Sequence, residues 1–342
     1  MADQIICAAE TTYGTTPASG FRKVRSSTDN HQTQMAVMTH RAIGDASGGA
    51  PALEGSRVAQ RNATGTLTVP VASNGLGILF EAAATTSSSA VVSGGTLAFE
   101  QIFSFGATAA PTGTSVSTGI YRTRRDGTTD WWDYRGGKPT QIEIAQTIAQ
   151  DAGGFLTATF AMDYQTAERL TVDPARTVTT PDPMVTYAWE DALITLQPLD
   201  EAGAPDGSPN TECLSSFSLT LPMQLDVEDY CIKAGTSRHE PTRNGLPAPT
   251  GQAVWTYQHP RYYDAFVAGQ AFSVSAVWAG TEAIEASTMP SLTIELGAIR
   301  LTGEDPQVAV DAKATQNMPF EVLSVGGAPA VVLTFITSDA AF

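Results

Sequence analysis

Basic residues are scarce in this chain of 342 residues, where 19 Lys and Arg stand against 35 Asp and Glu and give a formal net charge of −16. A protein that clamps nucleic acid needs a basic stripe to neutralise phosphates, so the composition argues against such a function. Two interpretations of the acidity stay open. It keeps an abundant protein soluble, or it forms a surface that repels DNA which must slide past without sticking.

Cysteines and long apolar runs are also few. Cys7, Cys213 and Cys231 are an odd number without a C-x-x-C pair. This is typical of a protein made in a reducing cytoplasm and argues against a disulfide framework. No apolar run approaches the roughly 18 residues that a membrane span needs. The first residues, MADQIICAAE, lack the basic segment of a secretory signal, so we expect no export by that route.

The motifs of common catalytic and cofactor sites are missing as well. No histidine has a second ligand at metal spacing; the four are His31, His40, His239 and His259. Gly137–Lys138 is followed by Pro139 where a phosphate-binding loop requires Ser or Thr, and 75–77 lacks the third glycine of a dinucleotide fingerprint. Acidic pairs such as Glu190–Asp191 fall in predicted loops, where carboxylates are ordinarily solvated. We therefore predict no enzyme, no cofactor and no metal site.

Segments in which apolar and polar residues alternate are frequent. They include 67–71, 141–144, 156–162, 216–223, 272–278, 292–296 and 331–335. A period of two is typical of antiparallel sheets with one packed face and one polar face. Helical patterns are confined to 74–83, with Asn74 as the expected N-cap, and to 260–269, where Pro260 begins and Gly269 ends the predicted helix. The sequence thus predicts a mainly β protein with two tandem, related β-sandwich or barrel domains, each with one short packed helix.

The two helical segments belong to a repeated unit. Residues 63–83 align without gaps with 249–269, so that Thr64–Gly65 meets Thr250–Gly251 and Phe80 meets Phe266. In both copies an alternating strand follows Thr-Gly and leads into a helix. The apolar stripe of the second helix is predicted to consist of Tyr263, Phe266 and Val267. A repeated strand-then-helix unit without a catalytic motif indicates architecture rather than chemistry.

Composition also predicts the domain boundaries. Residues 1–30 have few large apolar groups and are expected to form an N-terminal arm that is ordered only against something else. A first β domain over 31–172, a proline-rich linker over 173–183 and a second β domain over 184–342 follow. We expect the arm and the loop 104–130 to dock on a neighbouring molecule, because neither can bury a core alone.

One basic cluster follows the Gly-, Thr- and Ser-rich segment 104–119. It consists of Arg122, Arg124, Arg125, Trp131 and Trp132. Two interpretations stay open for it. It is a solvated loop with aromatic anchors in the core, or it is a contact between subunits, since Arg and Trp are enriched at interface hot spots.

At this point the sequence resembles the major tail tube proteins of phages with long flexible tails, the siphovirus type. The resemblance begins with Glu10, Tyr13, Gly14, Thr15 and Pro17, which are similar to the Glu-x-x-Tyr-Gly-Thr-x-Pro opening of that family. It continues through the Thr-Gly unit at 64–83, Gly137-Lys138-Pro139 and GGFLTATFAMDY at 153–164. In the second half it is carried by SSFSLTLPMQL, then Arg238, Pro241, Gly245, Thr250–Gly251 and FSVSAVWAG. The order of these loose motifs spans almost the whole chain.

The resemblance implies a structural protein of the virion, made in the cytoplasm of a bacterial host. Such proteins form rings that stack helically into a tube, which conducts DNA from the capsid to the host. The implied partners are further copies of the chain and the tail terminator, tape measure and baseplate proteins, while DNA passes without specific binding. The duplication adds the expectation of trimeric, pseudo-hexameric rings, with hexameric rings as the alternative.

Three other functions stay open at this stage. The chain could be another tail component of related fold, such as a tail-completion or baseplate hub protein, which is present in few copies. It could be a surface binding module or adhesin, which would require export. It could be a carbohydrate-active enzyme on a β-sandwich, which would require two convergent buried carboxylates.

Overall fold

The computed structural model describes residues 4–41, 53–106, 114–148, 154–180, 185–211, 213–228, 239–257, 260–303, 314–340 and 342, without the side chains of 36–41 and 53–60. Cys231, Arg238 and His259, named above, lie outside these residues, as do parts of the predicted loop and linker. The protein is mainly β, with 56% strand and 7% helix, and the sheets are not closed. The predicted fold class, a β-sandwich-like protein, is thereby confirmed.

The strands of the first half cover most of residues 4–170. They are β1 (Gln4–Ala9), β2 (Phe21–Val24), β3 (Thr28–Asp29), β4 (Gln32–Arg41), β5 (Leu53–Pro70), β6 (Thr86–Val91), β7 (Phe99–Phe105), β8 (Val116–Thr123), β9 (Thr129–Thr147), β10 (Thr157–Tyr164) and β11 (Thr166–Leu170). Helix α1 (Gly77–Ala83) follows β5.

The second half continues the series. After β12 (Val178–Thr179) in the predicted linker, its strands are β13 (Ala192–Pro198), β14 (Asn210–Thr211), β15 (Leu214–Pro222), β16 (Leu225–Asp226), β17 (Thr242–Arg243), β18 (Thr250–Thr256), β19 (Ala271–Ala279), β20 (Ser291–Leu301), β21 (Thr315–Leu323) and β22 (Val331–Thr337). A short 3-10 turn (Trp189–Asp191) precedes β13, and helix α2 (Arg261–Ala268) follows β18.

The period-two segments of the sequence fall in strands with one buried face. In β15, for example, Phe217, Leu219 and Leu221 are buried while the residues between them are partly exposed. Side chains on alternate positions point to opposite faces of a sheet, so the apolar set reaches the core together. The alternation therefore predicted both the strands and their buried faces.

The two helices differ from the prediction in detail. Asn74 does not cap α1; its side-chain oxygen accepts hydrogen bonds from Thr337 Oγ1 at 2.7 Å and Ser338 N at 3.2 Å. Gly269 ends α2 in the left-handed conformation, with φ of 66°, as expected. The prediction of the apolar stripe of α2 was wrong, since the buried residues of this helix are Tyr262 and Ala265. Phe266 packs partly buried against the core and Val267 is 67% exposed.

The same strand pairings occur in both halves. In the first half they are β1–β2, β1–β8, β4–β5, β5–β10, β9–β10, β8–β9 and β9–β11. In the second half the corresponding pairings are β13–β14, β13–β19, β15–β18, β18–β21, β20–β21, β19–β20 and β20–β22. The helix follows the same strand in each series. This correspondence supports the interpretation of the chain as a tandem repeat.

Two pairings join the halves into one sheet system. Strand β9 pairs with β15, with Ile144 opposite Leu219, and β22 pairs with β7, with Leu333 opposite Phe103. One hydrophobic core cluster contains buried residues of both halves. The side chains of Phe80 and Phe335, from different halves, lie 5.3 Å apart between ring centroids.

Polar contacts reinforce this junction. Trp278 Nε1 of the second half donates to Gln146 Oε1 of the first at 2.8 Å, and both residues are buried. Lys138, whose side chain is 6% exposed, forms an ion pair with Glu240 at 2.7 Å. Glu285 accepts from the backbone N–H groups of Thr96 and Leu97 at 2.7 and 2.8 Å. The halves are thus held side by side over several independent contacts.

Residues 4–9, near the start of the chain, belong to this sheet. Strand β1 pairs with both β2 and β8, and Ile6, Cys7 and Ala8 are fully buried. This differs from the expectation of an arm ordered only against another molecule. Although few in number, the apolar residues of 1–30 are concentrated in two strands that the rest of the domain covers.

Candidate functional site

The glycines of the repeat signature serve the same purpose in both halves. Gly65 lies in β5, and a β-carbon placed there would stand 2.5 Å from Cγ of His31. Gly251 lies in β18, where a β-carbon would collide with the ring of Phe320 and stand 2.6 Å from the carbonyl oxygen of Ser218. At each position only glycine leaves room for the ring, which belongs to β21 at Gly251 and to the segment between β3 and β4 at Gly65.

The two copies of the signature lie each in its own half. Thr64 lies inside β5 and Thr250 begins β18, each one residue before its glycine. Phe80 is fully buried and its ring contacts Phe103 and Phe160 at centroid distances of 5.9 and 5.1 Å. Phe266 is only partly buried. The glycines and Phe80 therefore lie against neighbouring strands, and a structural role for the whole signature stays a prediction.

A buried polar chain surrounds the ring that crosses Gly65. His31 Nδ1 lies 2.7 Å from Asp29 Oδ1, and Nε2 lies 2.8 Å from the hydroxyl of Tyr164. That hydroxyl lies 3.0 Å from Thr118 Oγ1, which in turn is 3.6 Å from Cys7 Sγ. Each group has a partner, as buried polar groups require.

Three groups of this chain have shifted pKa values. Burial alone would raise the pKa of Asp29, but hydrogen bonds from the His31 side chain and backbone and from Arg122 hold it well below its usual range. Burial raises the pKa of Tyr164 well above its usual value. Burial likewise raises the pKa of Cys7 to about 12, against a smaller opposing effect of the Thr118 hydrogen bond. Since a nucleophilic cysteine must be a thiolate, Cys7 is a structural residue.

The arginines of the predicted cluster bind acidic partners within the chain. Arg122 donates through Nε and Nη2 to Asp29 at 3.1 and 2.8 Å. Arg124 donates to both oxygens of Asp130, at 2.5 and 2.6 Å, and Arg169 shares that carboxylate at 2.7 Å. Arg125 is exposed and forms no ion pair within the described part of the chain.

The tryptophans of the cluster begin strand β9 and are partly buried. The ring of Trp131 contacts Tyr121, and the Arg122 guanidinium lies 5.9 Å from the ring of Trp132. A hydrogen-bonded turn, with Gly127 N donating to Arg124 O at 3.0 Å, connects β8 to β9. The cluster is therefore the end of a hairpin with packed aromatic residues, and whether a second copy contacts it stays open.

Glu10 explains the opening motif. Its Oε2 accepts from Gly14 N at 2.8 Å and Ser115 Oγ at 2.6 Å, and its Oε1 from Ser117 Oγ at 2.6 Å and Gly136 N at 2.8 Å. The residue is 3% exposed. A buried carboxylate is stable when its oxygens are saturated by donors in this way. The motif thus fastens the N-terminal segment to β8 and β9, which the sequence alone did not reveal.

The predicted linker is attached to the first half. Arg176 forms a bidentate pair with Asp133, and both side chains are less than a tenth exposed. The guanidinium of Arg176 also lies 4.5 Å from the ring of Phe21. Strand β12 pairs in parallel with β2 directly afterwards. Residues 173–180 therefore follow the surface of the first half closely.

The described residues contain no group of three or more His, Cys, Asp or Glu able to hold a metal ion. His31 and His239, for instance, lie in different halves. Within the same residues, no helix has both the length and the apolar composition needed to cross a membrane.

The chain has been compared with known proteins. No curated protein matches it. The family model described as "Phage tail tube protein" matches residues 4–322, which include the Glu10 motif, both copies of the Thr-Gly signature and the pair β9 and β15 that joins the halves. The chain belongs to the phage tail tube protein family.

Proposed function

We propose that this chain polymerises into stacked rings that form the tail tube of a phage and conduct DNA into the host. The family gives a structural role in the tail tube. The observation that carries the finer proposal is the shared set of strand pairings in two halves that lie in one sheet system. A protein built from two copies of a wall element, already joined edge to edge, is suited to assembly rather than catalysis.

The same observation supports three chains in each ring. Because β9 of the first half pairs with β15 of the second, the two halves stand side by side as neighbouring parts of one wall. A ring with six such positions then needs three copies of the chain. Closing a sheet across subunits also removes exposed strand edges, which otherwise promote aggregation.

The acidic charge suits the passage of DNA. Each chain carries a formal charge of −16, and a ring multiplies it by the number of copies. Exposed carboxylates occur on strands of the joined sheets, such as Glu143 on β9 and Glu295 on β20. A wall of this charge repels the phosphate backbone and lets DNA slide without binding.

The proposed partners are other copies of the chain and the proteins at the two ends and inside of the tube. These are the tail terminator, the baseplate and the tape measure protein. The Arg122–Trp132 hairpin is a candidate contact between copies, with exposed Arg125 as the cation available to an acidic neighbour. The alternative function is another tail component, a tail-completion or baseplate hub protein, which would be present in few copies per virion.

Electron microscopy of the purified full chain tests the proposal. We expect tubes or stacked rings with three-fold symmetry, and a mass per ring of three chains of 35.9 kDa each. Persistent monomers at high concentration would overturn the polymerisation. Rings with true six-fold symmetry and six full chains would overturn the stoichiometry while leaving the tube function intact.

A further inference from the structure

The strand edge that joins the two halves has a counterpart that is open. In the second half, β15 pairs with β18 on one side and with β9 of the first half on the other. In the first half, the corresponding strands β3 and β4 pair with β5 alone among the described residues. The side chains of residues 32–35 along this edge are exposed, with Met35 at 59%.

The signature glycines give the register between these edges. Gly251 pairs with Leu219 of β15. Gly65 falls opposite His31, because β3 and β4 pair with β5 in one continuous register. When β4 and β15 are aligned so that His31 corresponds to Leu219, Gln34 corresponds to Pro222 and Thr33 corresponds to Leu221.

The partner of that edge is identified in the same way. Beside β15, Pro222 pairs with Gln141 of β9, and Gln141 pairs on its other side with Ala161 of β10. In the second half, the counterpart of Ala161 is Pro319 of β21, because each of the two pairs with the residue directly after the signature glycine of its half. Its carbonyl oxygen accepts a hydrogen bond of 2.8 Å from the N–H of Thr302. Thr302, exposed at the end of β20, is therefore the counterpart of Gln141.

Two surface grooves, one beside β15 and one beside β3, differ in the same way as the two strand edges. The groove beside β15 has a volume of about 380 Å³, and one of its walls is formed by Gln146 and Ile148 at the end of β9. The groove beside β3 is formed by the corresponding strands, including residues 26–29, and has a volume of about 580 Å³. Its described lining contains no residue of β9 or β20. The wider groove lacks the wall that β9 supplies in the narrower one.

We propose that the edge of β4 pairs antiparallel with residues 302–303 of a second copy, directly after its β20, with Gln34 opposite Thr302 and Thr33 opposite Gly303. The pairing rests on the proposed ring assembly and specifies the contact that closes the ring. It repeats between copies the β9–β15 pairing that exists within each copy, so this strand pairing would recur at every junction of the ring. A closed ring then leaves neither edge exposed.

Disulfide trapping tests the pairing. The variant carries Gln34→Cys and Thr302→Cys, in a background with Cys213→Ser and Cys231→Ser; Cys7 is buried and stays. Residues directly opposite in an antiparallel pair have Cα atoms about 4.5–5.5 Å apart, within the range that a disulfide bridges. We expect mild oxidation of assembled protein to yield covalent species of two and three chains on non-reducing gels, and single-cysteine variants to yield at most dimers.

Two controls match this variant. Gln141→Cys with Pro222→Cys places the same pair within one chain, where the pairing is present, and should form an intrachain disulfide. Gln34→Cys with Ser88→Cys uses the exposed strand β6. Among the described residues this strand pairs with β7 alone and has no counterpart in the second half, so the variant should give no ladder. Circular dichroism before oxidation checks that each variant is folded.

Charge substitutions provide a second test at the same exposed positions. Gln34→Glu with Thr302→Glu sets like charges opposite each other and should reduce assembly, while Gln34→Glu with Thr302→Lys should restore it. If rings form but the Gln34–Thr302 disulfide does not, or the control on Ser88 gives the same ladder, the assigned edge is wrong and the tube function stands. If the unsubstituted chain forms no ring at all, the proposed function itself fails.

Discussion

Substituting the two signature glycines by alanine should destabilise the protein. At Gly251 the new β-carbon would meet the ring of Phe320, which is 3% exposed, and the carbonyl oxygen of Ser218 at 2.6 Å. The second obstacle is backbone, so relief requires β15 and β18 to move apart. Overpacking of this kind costs about 1–3 kcal/mol. We expect Gly251→Ala in the upper part of that range.

Gly65→Ala meets a different obstacle. Its β-carbon would meet the His31 ring, which is held by Asp29 at 2.7 Å and Tyr164 at 2.8 Å. Moving the ring strains both hydrogen bonds, each of which contributes about 1 kcal/mol. We therefore expect the free energy of unfolding to fall by about 2–4 kcal/mol. The lower conformational entropy of the unfolded chain with alanine offsets only about 0.4–1 kcal/mol of this loss.

Thermal unfolding measures both effects. With an unfolding entropy of about 2.1 cal/mol/K per residue, a chain of 342 residues loses about 3 °C in Tm for every 2 kcal/mol. Gly297→Ala is the matched control, since Gly297 lies in β20 with its nearest described neighbour, Pro329 O, at 4.0 Å. That variant should melt within about 1 °C of the parent protein. If Gly251→Ala behaved like Gly297→Ala, the close approach of Phe320 would not constrain the fold and the reasoning would be refuted.

Three further predictions concern the polar contacts. Glu10→Gln replaces an acceptor oxygen by an amide that faces buried donors and should cost about 1–3 kcal/mol in urea unfolding, while exposed Glu295→Gln should change little. Because the pKa of Asp29 is lowered by folding, its ionised carboxylate stabilises the protein above pH 3.8, the ordinary pKa of the group, and this contribution is lost as the pH falls further. Asp29→Asn should therefore lower Tm at pH 7, and the Tm values of the variant and the parent protein should converge in a pH series toward pH 2. Arg176→Ala leaves the buried Asp133 carboxylate without its bidentate partner and should lower the free energy of unfolding by about 3 kcal/mol. Limited proteolysis should then cut residues 173–180 faster than in the parent protein. Arg124→Ala, which removes an exposed ion pair, is the control.

The strands could be predicted from the sequence because their signal is local. Alternating residues such as Phe217, Leu219 and Leu221 need only their own spacing to indicate a half-buried strand. The repeat was visible for the same reason, since Thr64–Gly65 and Thr250–Gly251 each precede an alternating run that leads into a helix. The pairing of β9 with β15 was not predictable, because it joins residues that are far apart in the sequence.

The remaining differences have the same cause. Asn74 has the residue type of an N-cap, but Thr337, far along the chain, uses its side-chain oxygen. The helical period of α2 allowed two neighbouring stripes, and contact with the core at Tyr262 decided between them. Residues 1–30 were expected to form an arm because strand β8 and three of the four donors to Glu10 follow more than a hundred positions later.

The hairpin of β6 and β7 lies in the first half alone, since only Gly269 and Gln270 separate α2 from β19 in the second. In a ring of three copies this hairpin would recur every third of a turn, so the six wall positions would alternate between two kinds. A neighbouring ring could then distinguish a correct rotation from one displaced by a single wall position. The insertion would thus act as an orientation key, giving a tube of nearly equivalent parts a defined angular order along its length.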